Sequence, residues 1–179
     1  GTYMAGGQTL LPTLKQRLAA PTDVIDIAGV TELNLITVSN EVSIGSMATH
    51  ASVANSSEVT NAIPALALLA AGIGDPQVRH RGTIGGSVAN NDPAADYPAA
   101  CLALNATITT NQRKILADDF FTGMFETALE ENELITAVSF PKPDKAAYMK
   151  FPNPASRYAI VGVFVAQFGT DVRVAVTGA

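Results

Sequence analysis

Two glycine-rich segments carry the residue types best suited to chemistry in this chain of 179 residues. The first is Ala5-Gly6-Gly7-Gln8-Thr9. The second is Thr83-Ile84-Gly85-Gly86-Ser87, inside the longer run from Arg81 to Asn90. Adjacent glycines let successive backbone N–H groups turn toward one point, with no Cβ to hold a ligand off. Each pair stands beside a hydroxyl side chain, and the first leads into a helical pattern whose N-terminus favours negative charge. That chemistry suits phosphate, and two such loops could clasp a pyrophosphate from both sides. A glycine pair alone is more often a plain turn.

The common nucleotide patterns are absent. Gly72-Ile73-Gly74 opens a dinucleotide fingerprint, but Gln77 stands where its third glycine belongs, and a helical pattern precedes it. No Gly-Lys-Ser/Thr occurs, so a phosphate would be held by another architecture. Arg79 and Arg81 could neutralise one, or could lie on a solvated loop. His50 and His80 lack the carboxylate pattern of a metal site. Glu130, Glu131 and Glu133 read as a hydrated turn rather than a catalytic pair, and no nucleophile triad is in view. Cys101 is the only cysteine. It excludes an intrachain disulfide, a cysteine-based zinc site and an iron–sulfur cluster of the chain's own. It reads as a small buried apolar residue and suits a reducing, cytoplasmic setting.

Apolar residues make up 47% and charged residues 15%, which excludes general disorder. A net charge of -5 without any Lys/Arg cluster speaks against nucleic acid as the main partner. The long uncharged stretch from Val59 to Gly74 is too short and too polar for a membrane span. Gly1 to Met4 read as no signal peptide. Both ends read as cuts in a longer chain, since the first glycine loop comes at once and the last strand is barely complete.

The elements that must position these loops follow from periodicity. Residues 9–18 predict a short helix with Leu11, Leu14 and Leu18 on one face. Asp23–Ile27 and Glu41–Ile44 predict strands. Residues 50–59 and 64–72 predict two helices, the second opened by Pro64 and closed by Gly72. Gly74–Asp92 has little periodicity and reads as a long functional loop. A helix is expected from Asp96 through Leu102. Strands are expected at 106–110, 114–117, 134–140, 147–151, 158–168 and 172–177, with Gly169-Thr170 as a tight hairpin turn. Val172, Val174 and Val176 share one face. Prolines at 141, 143, 152 and 154 suggest a division near 151. The class is α+β.

AGGQTLLP at 5–12, RGTIGGSVAN at 81–90 and DPAADYPA at 92–99 resemble the FAD-binding medium subunit of molybdenum hydroxylases. This is the family of the carbon monoxide dehydrogenase and xanthine dehydrogenase flavoproteins. The linking text DVIDI…VSIGSMATHASVA is similar too, so the resemblance runs along essentially the whole chain. It implies an α+β fold of the PCMH type with two α/β subdomains, followed by the first antiparallel strands of a C-terminal domain. Residues 1–28 would then belong to the small N-terminal subdomain, 29–150 to the main FAD subdomain and 151–179 to the truncated C-terminal domain. Roughly the first thirty residues and most of the last domain would be missing.

The resemblance also assigns roles. Ala5, Gly6, Gly7, Gln8 and Thr9, with Thr83, Ile84, Gly85, Gly86 and Ser87, would cradle the FAD pyrophosphate. Ser87 stands where asparagine is usual and reaches less far. Asp96 would contact the sugar-alcohol chain, although it also reads as a helix N-cap ahead of Pro98. Ile73 would pack near the isoalloxazine ring, unless it is plain core, and Asn90 would line the flavin. Ile135 would offer backbone contacts. Lys150 would approach the cofactor, where the residue alone reads as a surface lysine.

The implied activity is that of an oxidoreductase subunit in which FAD does the redox chemistry and no side chain is catalytic. Electrons would come from 2Fe-2S clusters on a small subunit, after oxidation of substrate at a molybdenum cofactor on a large subunit, and leave to an external acceptor. The expected assembly is a dimer of heterotrimers. The other open reading is a non-redox binding module for a phosphorylated ligand. Gly85→Val is expected to reduce FAD affinity with folding largely retained.

Overall fold

A computed structural model describes residues 1–179. β1 (Thr2–Met4) pairs in parallel with β2 (Val24–Asp26), and the short helix α1 (Leu10–Lys15) lies between them in sequence. A 3-10 turn, Thr31–Asn34, leads to β3 (Ile36–Val38) and β4 (Glu41–Gly45). A run of helices follows: α2 (His50–Asn55), α3 (Ser57–Ala62), α4 (Pro64–Ala71), α5 (Pro76–Arg79), α6 (Ile84–Asn90) and α7 (Asp96–Ala103). Next come β5 (Thr107–Thr110), β6 (Lys114–Leu116), α8 (Ala117–Phe120) and a small hairpin of β7 (Phe121–Gly123) and β8 (Glu126–Thr127). The chain closes with β9 (Ile135–Pro141), β10 (Lys145–Pro152), β11 (Ala159–Phe168) and β12 (Asp171–Thr177).

The central sheet has the order β3-β4-β9-β5-β6, antiparallel throughout. Its inward positions alternate as strand geometry requires: Val42 and Ile44, Ile108, Val138 and Phe140 are all buried. α4 is buried at Ala65, Leu66, Ala67, Leu69 and Ala70, as suits a helix apolar almost all round. α7 is likewise enclosed, with Tyr97 and Cys101 fully buried. A second antiparallel sheet, β10-β11-β12, packs against α7. The class is α+β, as the order of elements implied. No helix is long and apolar enough to cross a membrane.

Several local expectations change. The helix expected over 50–59 is two helices, because Ser56 ends α2 and caps α3, its hydroxyl accepting from the Val59 N–H at 3.2 Å. The segment 74–92 is not a long loop. Asp75 caps α5, accepting from Val78 N–H at 2.8 Å, and Thr83 caps α6, accepting from Gly86 N–H at 3.1 Å. α1 stops at Lys15, with Arg17 at φ 59, and buries none of its residues, so Leu11 and Leu18 face solvent. The expected division at 151 falls inside β10, whose pairing with β11 begins at Lys145. The valine face of β12 points outward, continuous with exposed Met149 and Phe151 on β10.

Candidate functional site

The two glycine loops meet. A β-carbon on Gly6 would stand 1.9 Å from the Arg81 carbonyl oxygen, so the first loop lies directly on the backbone that opens the second. Gly7 has φ +74, a conformation glycine adopts freely. Along 6–9, the N–H groups of Gly6, Gly7, Gln8 and Thr9 have no acceptor within the protein. Four successive unpaired donors on a loop of this kind form an anion nest.

The second loop is built differently. Ile84 N–H donates to the Ala48 carbonyl at 3.1 Å and Gly85 N–H to the Ser46 carbonyl at 2.8 Å. These donors are spent on the fold. Ile84 is fully buried in the core. A β-carbon on Gly85 would fall 2.5 Å from Ser46 Cβ and 2.7 Å from its carbonyl oxygen. Gly85→Val therefore strikes backbone packing, and the expectation that folding would survive it is corrected. On the cleft side this loop presents Thr83, itself buried and capping α6, with Gly86 and Ser87.

Ala5 to Thr9, Thr83, Gly86 and Ser87 line one cleft of about 600 Å³, together with Ile73, Asn90 and Asp96. A smaller cavity of about 200 Å³ lies beside it, walled by Tyr3, Ile27, Met47, Leu134 and Ile135. Thr2, Tyr3, Ala5, Gly86 and Ala89 line both, so the cavities share a wall at the glycine loops. Ile135 and Gly85 belong to the smaller cavity alone.

Asp96 opens α7 and is almost fully buried. It receives the Tyr148 hydroxyl on Oδ1 and the Lys150 ammonium on Oδ2 at 3.0 Å. The same ammonium donates to the Gly72 carbonyl at 2.9 Å. Burial raises the Asp96 pKa, and the bonds from Tyr148 and Lys150 pull against that rise. Lys150 does not line the cleft. It ties two of its walls, at Asp96 and beside Ile73, where the sequence reading expected a lysine approaching the cofactor. Arg79 is engaged similarly, donating to the carbonyls of Ile73 at 3.1 Å and Gly74 at 2.8 Å, and is not free for phosphate. Arg81 is exposed and off the cleft.

Glu133 is no hydrated turn residue. Its side chain is fully enclosed, pairs with Arg113 at 3.0 Å and receives the Thr110 hydroxyl at 2.7 Å. The Arg113 hydrogen bond leads in lowering its pKa to about 2. It also touches the smaller cavity and fixes the segment that carries Leu134 and Ile135. No group of three or more His, Cys, Asp or Glu side chains is placed to hold a metal ion.

Sequence reasoning missed His50, the 156–158 turn and Tyr148. Ser156, Arg157 and Tyr158 join β10 to β11 and complete the large cleft. Their one sequence signal is the turn chemistry of Pro152-Asn153-Pro154, where Asn153 Oδ1 accepts from the N–H groups of Ala155 and Ser156. Tyr148 had none.

The sequence pattern described as "FAD binding domain in molybdopterin dehydrogenase" matches residues 1–143. The chain belongs to this family of FAD-binding domains. Among curated relatives, this FAD-binding domain is 40% identical to the nicotine 6-hydroxylase medium subunit of Paenarthrobacter nicotinovorans, over 98% of the chain and 66% of the relative. It is 38% identical to the carbon monoxide dehydrogenase medium chain of Hydrogenophaga pseudoflava, over 90% of the chain and 59% of the relative. Among solved structures it superposes on quinoline 2-oxidoreductase from Pseudomonas putida 86 with a TM-score of 0.92 and 32% identity, covering 99% of this chain and 66% of that one. The Hydrogenophaga carbon monoxide dehydrogenase gives a TM-score of 0.90 at 37% identity, covering 98% of this chain and 66% of that one. The FAD-binding domain thus spans about two thirds or less of the length of these relatives, which are oxidoreductase components.

Proposed function

We propose that the chain holds FAD across the two joined cavities, with the pyrophosphate at their shared wall. The observation that carries this is the run of four unpaired N–H groups, Gly6 to Thr9, beside that wall. Two phosphates there meet backbone donors and the hydroxyls of Thr83 and Ser87, without a lysine. The larger cleft, with Ile73, Asn90 and Asp96, takes the flavin and its sugar-alcohol chain. The smaller, apolar cavity takes the adenine, against Leu134 and the backbone of Ile135. Gly86 keeps the passage open, since a β-carbon there would stand 3.7 Å from Ala5 Cβ across it.

When bound, FAD supplies the redox chemistry that the chain's own side chains lack. The protein's part is to bind, orient and enclose it. We place the chain between 2Fe-2S clusters on a small subunit and an external electron acceptor. Substrate is oxidised at a molybdenum cofactor on a large subunit.

The test is a FAD titration of the purified chain, read by visible absorption and bleaching with dithionite. A flavin band that tracks the protein and bleaches supports the proposal. Gly86→Ala, the smallest such intrusion, should weaken FAD at least tenfold; its β-carbon stands 3.0 Å from the Thr83 Oγ1 that caps α6, so its melting temperature is read alongside. A full-length protein that takes up no flavin overturns the proposal, and binding of other phosphorylated ligands by that protein establishes the non-redox alternative.

A further inference from the structure

We propose that His50 is a further ligand-binding residue of the cleft, its imidazole hydrogen-bonding to the phosphate–sugar backbone of the bound dinucleotide. This rests on the FAD reading above. His50 opens α2, but Thr49 does the capping there, its hydroxyl accepting from Ser52 N–H at 3.1 Å. The ring is thus free of a local role. The backbone N–H of His50 donates to the Gly82 carbonyl at 2.9 Å, which seats the residue directly behind the phosphate loop.

The ring is 95% buried, being only 5% exposed, yet Nδ1 has no hydrogen-bond partner. Its neighbour Tyr97 offers a ring at 5.5 Å but no acceptor contact, and the Tyr97 hydroxyl is also buried and unpartnered. Buried polar groups without partners are rare and unfavourable, so an imidazole placed here costs the fold stability. The nitrogen on the cleft side is the other one, Nε2, which lies at Gly82. A β-carbon there would stand 2.6 Å from His50 Nε2 and 2.9 Å from Cδ2, closing over the ring edge. Because residue 82 has no side chain, that edge stays open to the cleft that both residues line. Burial, with Arg79 nearby, holds the His50 pKa down to about 4, so the imidazole is neutral at pH 7. A neutral ring carries one N–H donor and one acceptor. It serves phosphoryl oxygens and sugar hydroxyls without placing a charge in the core.

His50→Phe keeps the ring's volume and its packing on Tyr97 while removing both nitrogens. The chain without ligand should melt no lower than wild type, because an unpartnered polar group is gone. Its dissociation constant for FAD should rise tenfold or more, the scale of one hydrogen bond to a charged group. His50→Gln, which restores a donor and an acceptor, should recover part of that loss. Unchanged FAD affinity in the Phe variant overturns the proposal, as does a drop in stability with equal FAD affinities in the Phe and Gln variants. If full-length wild type itself takes up no FAD, the FAD reading falls first, and this inference with it.

Discussion

Lys150→Met should destabilise the chain in a way that acid relieves. Lys150 and Asp96 are 9% and 5% exposed at the side chain, with 3.0 Å between charged atoms, so solvent screens the pair little. Removing the ammonium leaves a buried carboxylate with the Tyr148 hydroxyl and the Asp96 backbone N–H as donors. Breaking a buried pair from one side costs about 3–5 kcal/mol. At about 2–4 °C per kcal/mol for a chain of this size, the melting temperature should fall by roughly 10 °C at pH 8. The pH dependence has a definite sign. The folded-state pKa of Asp96 is already raised, chiefly by burial, and the lost lysine was holding it down. In the variant it rises further, so between the unfolded and the folded pKa the folded protein binds a proton that the unfolded chain does not. The stability that protonation brings is full below the unfolded pKa and fades as pH rises through the folded one. The deficit of Lys150→Met should therefore shrink on going from pH 8 to pH 5. Adding Asp96→Asn should recover most of the loss at pH 8, as a double-mutant cycle would show. Equal deficits at both pH values, or no recovery in the double variant, would refute the reasoning.

Gly6→Ala should cost about 3 kcal/mol or more, because its β-carbon meets a carbonyl oxygen rather than a movable side chain. Gly29→Ala, with nothing within 4 Å, should be neutral or slightly stabilising; urea unfolding of the two variants gives the contrast. On β12 the ordinary polarity is inverted. Val174→Lys should change stability by less than about 0.5 kcal/mol, while Thr177→Val should lose about 1–3 kcal/mol by freeing two carbonyls. Thermal melts of both variants decide which face the sheet depends on.

Where a pattern repeats along an element, the sequence was a good guide. β4 alternates Val42 and Ile44 with polar neighbours, and α4 is a solid apolar block between Pro64 and Gly72. The β11–β12 turn follows from Gly169-Thr170, with Gly169 at φ 58 and Phe168 pairing with Asp171. Between 74 and 92 the helices are too short to show a stripe. Their signals are single capping side chains, Asp75 and Thr83, which glycine-rich text obscures. Of the site, the free donors of the first glycine loop were legible because their geometry is local, whereas nothing in the text 83–87 showed that the N–H groups of Ile84 and Gly85 go to Ala48 and Ser46. Tyr148 was not, because its partner Asp96 lies far off in sequence and only the sheet brings them together. Alternation on β12 marked two faces but could not say which one turns inward.

That inversion on β12 explains how the cleft is held. The inward face of the last sheet carries polar ties instead of valines. Thr177 Oγ1 stands 2.9 Å from the Pro93 carbonyl and 2.7 Å from that of Ala95, at the start of α7. Gly178 N–H adds a bond to Pro93 at 2.9 Å. At the other end, Arg173 Nε donates to the Leu102 carbonyl at 2.9 Å. From β10, Tyr148 and Lys150 fix Asp96 itself. The sheet therefore grips α7 at both termini and orients the carboxylate that faces the cleft. All of these residues lie beyond 143, where the match to the FAD-binding pattern ends. So do Ser156, Arg157 and Tyr158 on the cleft wall. The unpaired backbone donors belong to the first glycine loop, whereas the geometry at the Asp96 end of the cleft depends on the sheet that follows. The two can be separated: damage to the sheet should loosen the Asp96 end while leaving the anion nest at Gly6 to Thr9 intact.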